Sequence, residues 1–128
     1  MGSNWKNVLS VYEQDPRAYT IKITSAGHTA LHVAISELEE EIVVQLVQFI
    51  RRDPDKAIEA LGLGNEKGHT PLHLAAAAGN VKMCWCIISG VDNNDGKKTL
   101  LCRRDKKGET PLFRHSWRFL AGKRLSFI

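Results

Sequence analysis

The chain has 128 residues, of which 43% are hydrophobic and 25% are charged, which is the composition of an ordinary globular protein. This length is enough for one domain or a short stack of repeats. The longest apolar run, 42–50, falls far short of the roughly 20 residues that span a bilayer, and the start lacks the apolar core of a signal peptide, which favours a cytoplasmic chain. Residues 1–96 hold 8 basic and 12 acidic residues, whereas 97–128 hold 10 basic and 2 acidic residues. This basic end is a candidate contact for nucleic acid, acidic lipid or an acidic protein, and a solvated tail is the alternative.

The first predicted element is an amphipathic helix. It rests on four apolar residues at helical spacing: Trp5, Val8, Leu9 and Tyr12. The pair Asp15-Pro16 ends it, because proline cannot continue a helix.

A turn followed by a helix start then recurs along the chain. Its glycines are spaced by 41 and 40 residues: Gly27, Gly68 and Gly108. Each is followed two residues later by a threonine: Thr29, Thr70 and Thr110. Threonine favours the N-cap, since its hydroxyl accepts a hydrogen bond from a free amide of the first turn. Pro71 and Pro111 then stand at the first helical position, where a missing N–H costs nothing.

The body of these short helices is repeated as well. Two copies share a leucine, a histidine and a small residue: Leu31, His32 and Ala34, then Leu72, His73 and Ala75. Gly79 closes the second short helix, and Leu38 stands where the corresponding glycine is expected in the first.

A longer apolar helix follows each short one. The first has its apolar stripe at Ile42, Val43, Leu46, Val47 and Ile50, and the acidic residues 39–41 suit its start. The second has its stripe at Val81, Cys84, Ile87 and Ile88, with Lys82 and Trp85 on the other side. Neither helix can bury its stripe alone, so neighbouring copies must stack.

The pattern G-x-T-[AP]-L-H-x-A with a glycine-terminated helix pair resembles the ankyrin repeat. The stretches NWKNVLSVYEQDPRAYTIKITSAGHTALHVA and GNEKGHTPLHLAAAAGNVKMCWCI resemble plant ankyrins related to the accelerated-cell-death and salt-tolerance membrane ankyrins. In that group the repeat is lengthened beyond the usual period of about 33 residues. The resemblance implies an all-α ankyrin-repeat solenoid of stacked helix-turn-helix units with extended loops.

On this interpretation the array occupies 1–113. It comprises a half unit at 4–23, which contributes only a second helix, units at 24–64 and 65–104, and a partial unit at 105–113. The residues that lengthen each unit follow its second helix. In 51–64 they predict a further turn or two of helix, with Asp53 as the cap and Pro54 at the start, whereas 89–101 predict a polar, turn-rich loop.

The segment 114–128 departs from the repeat, and we interpret it as an irregular basic end. Arg114, His115, Ser116 and Trp117 stand where the pattern has small residues, and the membrane segments of the resembling proteins do not follow. Truncation and alternative splicing both account for such an end. Its apolar side chains are expected to pack partially against the array, with weak self-association or dependence on a partner.

The candidate catalytic and metal-binding residues favour structural roles. The resemblance implies that His32 and His73 hydrogen-bond locally and join adjacent units, while His28 and His69 should be exposed. Cys84 and Cys86 lie two apart, so their thiols diverge on a helix, and neither zinc nor redox spacing is met. No nucleophile, base and oxyanion donors come together, so we expect a non-enzymatic protein without cofactor or metal.

The resemblance implies a protein-binding module that uses its loop tips and the exposed side of the first helices as a concave face. By motif position the contact residues are Ser25, Ala26, His28, Ser36, Glu37, Glu66, Lys67, His69, Ala77, Ala78, Lys106, Lys107 and Glu109. The partner expected is a protein, in plant defence or stress signalling, with membrane contact at most peripheral and no small-molecule substrate.

The alternative is binding of nucleic acid or an acidic membrane surface through 97–128, marked by strong salt dependence. Few aromatic residues interleave the charges of this region, with Trp117 and Phe119 the exceptions, so nucleic acid is the less favoured partner.

Overall fold

The structure, a computed structural model, describes residues 5–111. Within that range the chain forms seven α-helices and one 3-10 helix. They are α1 (Trp5–Gln14), the 3-10 helix (Pro16–Thr20), α2 (Ala30–Ser36), α3 (Glu40–Ile50), α4 (Pro54–Leu61), α5 (Pro71–Ala77), α6 (Val81–Ile88) and α7 (Asn94–Cys102). The β-structure seen in 5–111 is one isolated antiparallel bridge, between Lys22 and Thr29. The expectations for 114–128 lie outside the described residues.

The helices stack in three rows. In the inner row α2 packs against α5, and in the outer row α3 packs between α1 and α6. The 3-10 helix, α4 and α7 form a third row, in which each element packs against the next. Because each element contacts its equivalent about 40 residues away, the core is shared between successive repeats. The all-α solenoid predicted from the sequence is confirmed.

The third row corrects the prediction of a polar loop over 89–101. Asn93 caps α7, since its Oδ1 atom accepts a hydrogen bond from the Gly96 N–H over 2.6 Å. Leu100 anchors the helix in the core with 1% of its surface exposed. The prediction was wrong because a glycine inside a polar stretch suggested a turn. Gly96 instead allows close packing, since an added Cβ would lie 3.3 Å from the Ile58 side chain of α4.

The helix predicted within 51–64 is confirmed as α4. It begins at Pro54, and the side chain of Asp53 caps it by accepting a hydrogen bond from the Lys56 N–H over 3.3 Å. Asp15 caps the 3-10 helix in the same way, through the Arg17 N–H at 3.0 Å. The three caps, Asp15, Asp53 and Asn93, therefore mark one recurring position of the third row.

The apolar stripes of the outer row fill the core. In α3 the predicted stripe is buried except for the half-buried Ile42. In α6 the buried residues are Met83, Cys84, Ile87 and Ile88, while Val81 is half-buried. Each fully buried aliphatic side chain contributes about 1.5–3 kcal/mol through removal of apolar surface from water. This shared core holds the turns described next.

Candidate interaction surface

Three turns of the same construction precede the inner helices, and we call them turn 1 (24–28), turn 2 (65–69) and turn 3 (105–109). In each, the glycine N–H donates to the carbonyl oxygen three residues earlier, over 2.9–3.0 Å: Gly27 to Thr24, Gly68 to Asn65 and Gly108 to Asp105. The three glycines have φ values of +80°, +78° and +82°, a region that L side chains rarely adopt. Glycine at these positions is thus required by the turn itself.

Backbone hydrogen bonds tie each turn to the next. The Glu66 N–H donates to the Ala26 carbonyl oxygen, and the Lys106 N–H donates to the Lys67 carbonyl oxygen, both over 3.0 Å. An added Cβ at Gly68 would lie 2.9 Å from the Lys106 nitrogen, so the approach is too close for any side chain. The turn tips therefore form a row with a fixed spacing.

In turns 2 and 3 a polar side chain accepts hydrogen bonds from backbone N–H groups of the same turn. In turn 2 the Asn65 Oδ1 atom accepts from the N–H groups of Lys67 and His69, at 2.9 and 3.0 Å. In turn 3 the Asp105 Oδ1 atom accepts from the N–H groups of Lys107 and Glu109, both at 2.9 Å. Sequence reasoning missed both residues, although each stands three positions before the turn glycine and could have been found by that spacing.

His32 joins the start of α2 to turn 2. Its Nδ1 atom accepts from the Thr29 N–H at 3.1 Å, so the ring proton is on Nε2, which donates to the His69 carbonyl oxygen at 2.9 Å. The Thr29 hydroxyl in turn accepts from the His32 N–H, which completes a capping box. Burial lowers the pKa of His32 to about 4, although the bond to the His69 carbonyl opposes this. The imidazole is therefore neutral and structural.

His73 repeats this arrangement one turn further on. Its Nδ1 atom accepts from the Thr70 N–H at 3.1 Å, and its Nε2 atom donates to the Glu109 carbonyl oxygen at 2.8 Å. Burial lowers the pKa of His73, and the bond to Glu109 works against the shift. The two histidines thus fasten α2 to turn 2 and α5 to turn 3.

The expectation that His28 and His69 are exposed is wrong, since both are half-buried. The His28 ring stacks on His32 with a centroid distance of 5.4 Å, and the His69 ring lies 5.6 Å from His73. Each turn folds back over the start of its helix, which brings histidines four positions apart into contact. The rings of His28 and His69 therefore lie against the two buried histidines and are only partly accessible to a partner.

The Nε2 atom of His69 also lies 3.2 Å from Asp105 Oδ2, whose side chain is only 3% exposed. Burial by itself would raise the pKa of Asp105. The N–H groups of Glu109 and Lys107 and the neighbouring rings of His73 and His69 lower the pKa of Asp105 below its usual value. This carboxylate therefore joins turn 3 to turn 2 through its contact with His69.

The other predicted contact residues are exposed except for Glu109, which is half-buried. The exposed ones are Ser25, Ala26, Ser36, Glu37, Glu66, Lys67, Ala77, Ala78, Lys106 and Lys107.

Seven of the predicted contact residues meet at one groove of about 480 Å³ beside turns 2 and 3: Glu66, Lys67, His69, Ala77, Lys106, Lys107 and Glu109. The groove is completed by residues that the contact prediction did not include: His73, Leu74, Asp105, Thr110 and Pro111. Leu74 could have been found from its position on α5, three residues before Ala77 and on the same side of the helix. The predicted residues of turn 1 and of α2 do not line this groove.

The cysteines occupy three different environments. Cys84 is buried, Cys86 is half-buried and Cys102 is exposed. Burial raises the pKa of the Cys84 thiol to about 12 and that of Cys86 to about 11, which keeps both protonated at neutral pH. Trp85, between them, is half-buried against the core. The structure of 5–111 contains no group of three histidine, cysteine or acidic side chains placed to hold a metal ion.

In the same range, none of the helices has the length and apolar character needed to cross a membrane.

The stacked helix pairs and bonded turns define a solenoid repeat protein in which the turn tips and the ends of the inner helices, at Ser36 and Ala77, are exposed. A family model described as ankyrin repeats (3 copies) matches residues 7–97, and the chain belongs to the ankyrin-repeat family. Ankyrin repeats generally mediate protein–protein interaction, and proteins built from them are typically non-enzymatic. No curated protein sequence matches the chain.

Proposed function

We propose that this chain is a non-enzymatic module that binds a protein partner through the row of turn tips and the exposed side of α2 and α5. The observation that carries the proposal is the backbone bonding of the turns, Glu66 to Ala26 and Lys106 to Lys67, beneath exposed side chains. A surface whose backbone is already fixed loses little backbone entropy on binding, and its exposed side chains are free to contact a partner. The contact set is the one named from the sequence, with Leu74 added on α5.

The His69–Asp105 pair has the geometry of a base with its orienting carboxylate, which makes hydrolysis the competing interpretation. Catalysis would also need a nucleophile in contact with that base. The hydroxyl group among the lining residues of 5–111 is that of Thr110, and no hydrogen bond within this range joins it to the His69 ring. Asp105 Oδ1 is engaged by two backbone N–H groups of its own turn. A role in joining the turns accounts for both residues.

The cellular setting of the proposal rests on the resemblance to plant membrane ankyrins. It is a role in plant defence or stress signalling, at a cytoplasmic location that extends to the periphery of a membrane. The competing hypothesis is that residues 97–128 bind nucleic acid or acidic lipid, and the experiment below distinguishes it from the proposal.

The experiment is affinity capture from a plant extract treated with nuclease, followed by reconstitution with the purified partner. The test variant combines Ser36→Trp with Ala78→Trp, two exposed positions at the ends of α2 and α5. The control is Gln48→Trp, an exposed position of α3 in the outer row. We expect the wild type and the control to bind the partner and the test variant to lose it, with unchanged melting temperatures for all three.

Retention of the same partner by the test variant would contradict the proposed surface. Capture that disappears with nuclease, or that transfers to anionic vesicles, would favour the basic region instead.

A further inference from the structure

The groove beside turns 2 and 3 is bounded by two kinds of surface. Turn 2 and turn 3 contribute charged side chains, whereas α5 contributes the apolar Leu74 and Ala77. Pro111 also lines the groove. A ligand in this groove therefore meets apolar contacts flanked by charges, which suits a short peptide segment.

Only some of the charged side chains of the groove can contact a ligand. Lys67, Lys106 and Lys107 are exposed, and their ammonium groups have no carboxylate within salt-bridge distance among residues 5–111. Asp105 is buried, is hydrogen-bonded within turn 3 and faces His69, so its carboxylate is not available to a ligand. The three exposed lysines outnumber the remaining carboxylates of the rim, those of the exposed Glu66 and the half-buried Glu109, so the net available charge is positive.

Building on the proposed function, we propose that this groove binds an acidic segment of the partner protein. Carboxylates of the segment pair with Lys67, Lys106 and Lys107, and an apolar side chain lies against Leu74 and Ala77. Charge-assisted hydrogen bonds from ammonium groups to carboxylates provide the specificity, and removal of apolar surface from water adds affinity. The bonded turns fix the backbone positions of the three lysines, which limits the backbone entropy lost on binding.

Charge complementarity also argues against two other occupants. The chain's own segment 114–128 carries Arg114, Arg118, Lys123 and Arg124 and no acidic residue, so the lysines would repel it. A nucleic acid would bring the required negative charge. The groove, however, has no phenylalanine, tyrosine or tryptophan among the lining residues of 5–111 on which unpaired bases could stack.

Fluorescence anisotropy with the full chain and synthetic peptides tests the proposal. The probe is a short labelled peptide of glutamate, aspartate and leucine, and its matched control replaces every carboxylate by the amide. We expect the acidic peptide to bind, the amide peptide to bind at least about tenfold more weakly, and added salt to weaken the acidic peptide. Equal binding of the two peptides, or no binding of the acidic one, would overturn the assignment.

Charge reversal locates the site. Lys106→Glu combined with Lys107→Glu should weaken the acidic peptide at least about tenfold, because two ion pairs become two repulsions. The control combines Lys6→Glu on α1 with Lys98→Glu on α7, both exposed and outside the groove, and changes the net charge equally. Ala77→Gln should also weaken binding, by filling the groove without a change of charge. Equal losses in both charge-reversed variants would show a general field effect and overturn the groove as the site.

Two further probes address the other occupants. A peptide of residues 114–128 and an oligothymidine should both fail to displace the acidic peptide, and displacement by either at comparable concentration would overturn the occupant proposed here. A comparison of two variants distinguishes failure of this inference from failure of the proposed function. If the protein partner is lost with Ser36→Trp and Ala78→Trp but retained with Lys106→Glu and Lys107→Glu, the interaction surface stands and the acidic-segment inference falls.

Discussion

The Nε2 atom of His32 lies 2.9 Å from the backbone carbonyl oxygen of His69, which is 37 residues further along the chain. The bond joins the start of an inner helix to the next turn, and His73 makes the same bond to Glu109 across 36 residues. Each histidine also accepts from the N–H of its own N-cap threonine. One side chain therefore fixes both a helix end and the spacing of two turns, which couples the stability of the fold to the shape of the proposed interaction surface.

Replacement of His32 by alanine should lower the free energy of unfolding by about 3 kcal/mol, because the buried Thr29 N–H loses its acceptor and the His69 carbonyl loses its donor. Urea denaturation followed by circular dichroism measures the change. His28→Ala serves as the control, since His28 only stacks on the ring and is half-buried. Similar losses for the two variants would contradict the role assigned to the bond.

Stability should fall as the pH decreases from about 6.5 to about 4. The folded chain lowers the pKa of His32 to about 4, whereas the unfolded chain takes up the proton near the ordinary value of 6.5. Between these values the unfolded state binds more protons, so acidification favours unfolding, and the contribution of His32 is fully present only above 6.5. The shift corresponds to a loss on the order of 3 kcal/mol for this residue.

The lowered pKa of His73 adds to the slope in the same direction. Urea midpoints measured between pH 5 and pH 7 should therefore rise with pH in the wild type and rise less steeply in His32→Gln, which has no group to titrate there. A slope that is unchanged in that variant would show that other groups cause the pH dependence.

The repeat elements that rest on local chemistry could be predicted from the sequence. Thr29 and Thr70 cap their helices and Pro71 begins α5, because the capping hydroxyl and the fixed φ of proline act within one turn of helix. Gly79 closes the second short helix with a φ of +69°. Leu38, placed by alignment in the same position, adopts a φ of +58°.

The elements that depend on tertiary contacts were harder to predict. The composition of α7 is that of a turn, and its helical state depends on the packing of Leu100 and Gly96 against the rest of the third row. The positions of His28 and His69 depend on how the turns fold over the helix starts, which no local pattern reports. Likewise, the groove required the pairing of turns 40 residues apart, although the repeat period itself was visible.

Asn93→Ala should destabilise the chain by about 1 kcal/mol, because the Gly96 N–H at the start of α7 loses its cap. The neighbouring Asn94 is the matched control: it is exposed, and its side chain makes no cap bond. Asn94→Ala should change the free energy of unfolding by less than about 0.5 kcal/mol. Equal effects would indicate that this segment is a loop after all.

The three thiols should react with iodoacetamide in the order Cys102, Cys86, Cys84. Cys102 is exposed, while burial of the other two both blocks access and raises their pKa values, to about 11 for Cys86 and about 12 for Cys84. The thiolate is the reacting species, so the raised pKa slows the reaction further. Peptide mass spectrometry over a time course gives the order, and unfolding in urea should make the three rates similar. Fast labelling of Cys84 in the folded chain would contradict its place in the core.

Leu38→Gly should stabilise the chain by about 1 kcal/mol. Leu38 has a φ of +58°, a conformation that costs an L residue roughly 1–2 kcal/mol, and glycine adopts it without a steric penalty although it loses more entropy on folding. The Leu38 side chain contributes little stability through burial, since 59% of its surface is exposed. The reverse change supplies the control. Gly79→Ala at the equivalent turn, where φ is +69° and an added Cβ would meet nothing within 4 Å, should destabilise by about 1 kcal/mol through backbone strain alone. Urea midpoints of the two variants should therefore move in opposite directions. A loss of stability in Leu38→Gly would mean that the leucine side chain contributes more by its contacts than its backbone conformation costs.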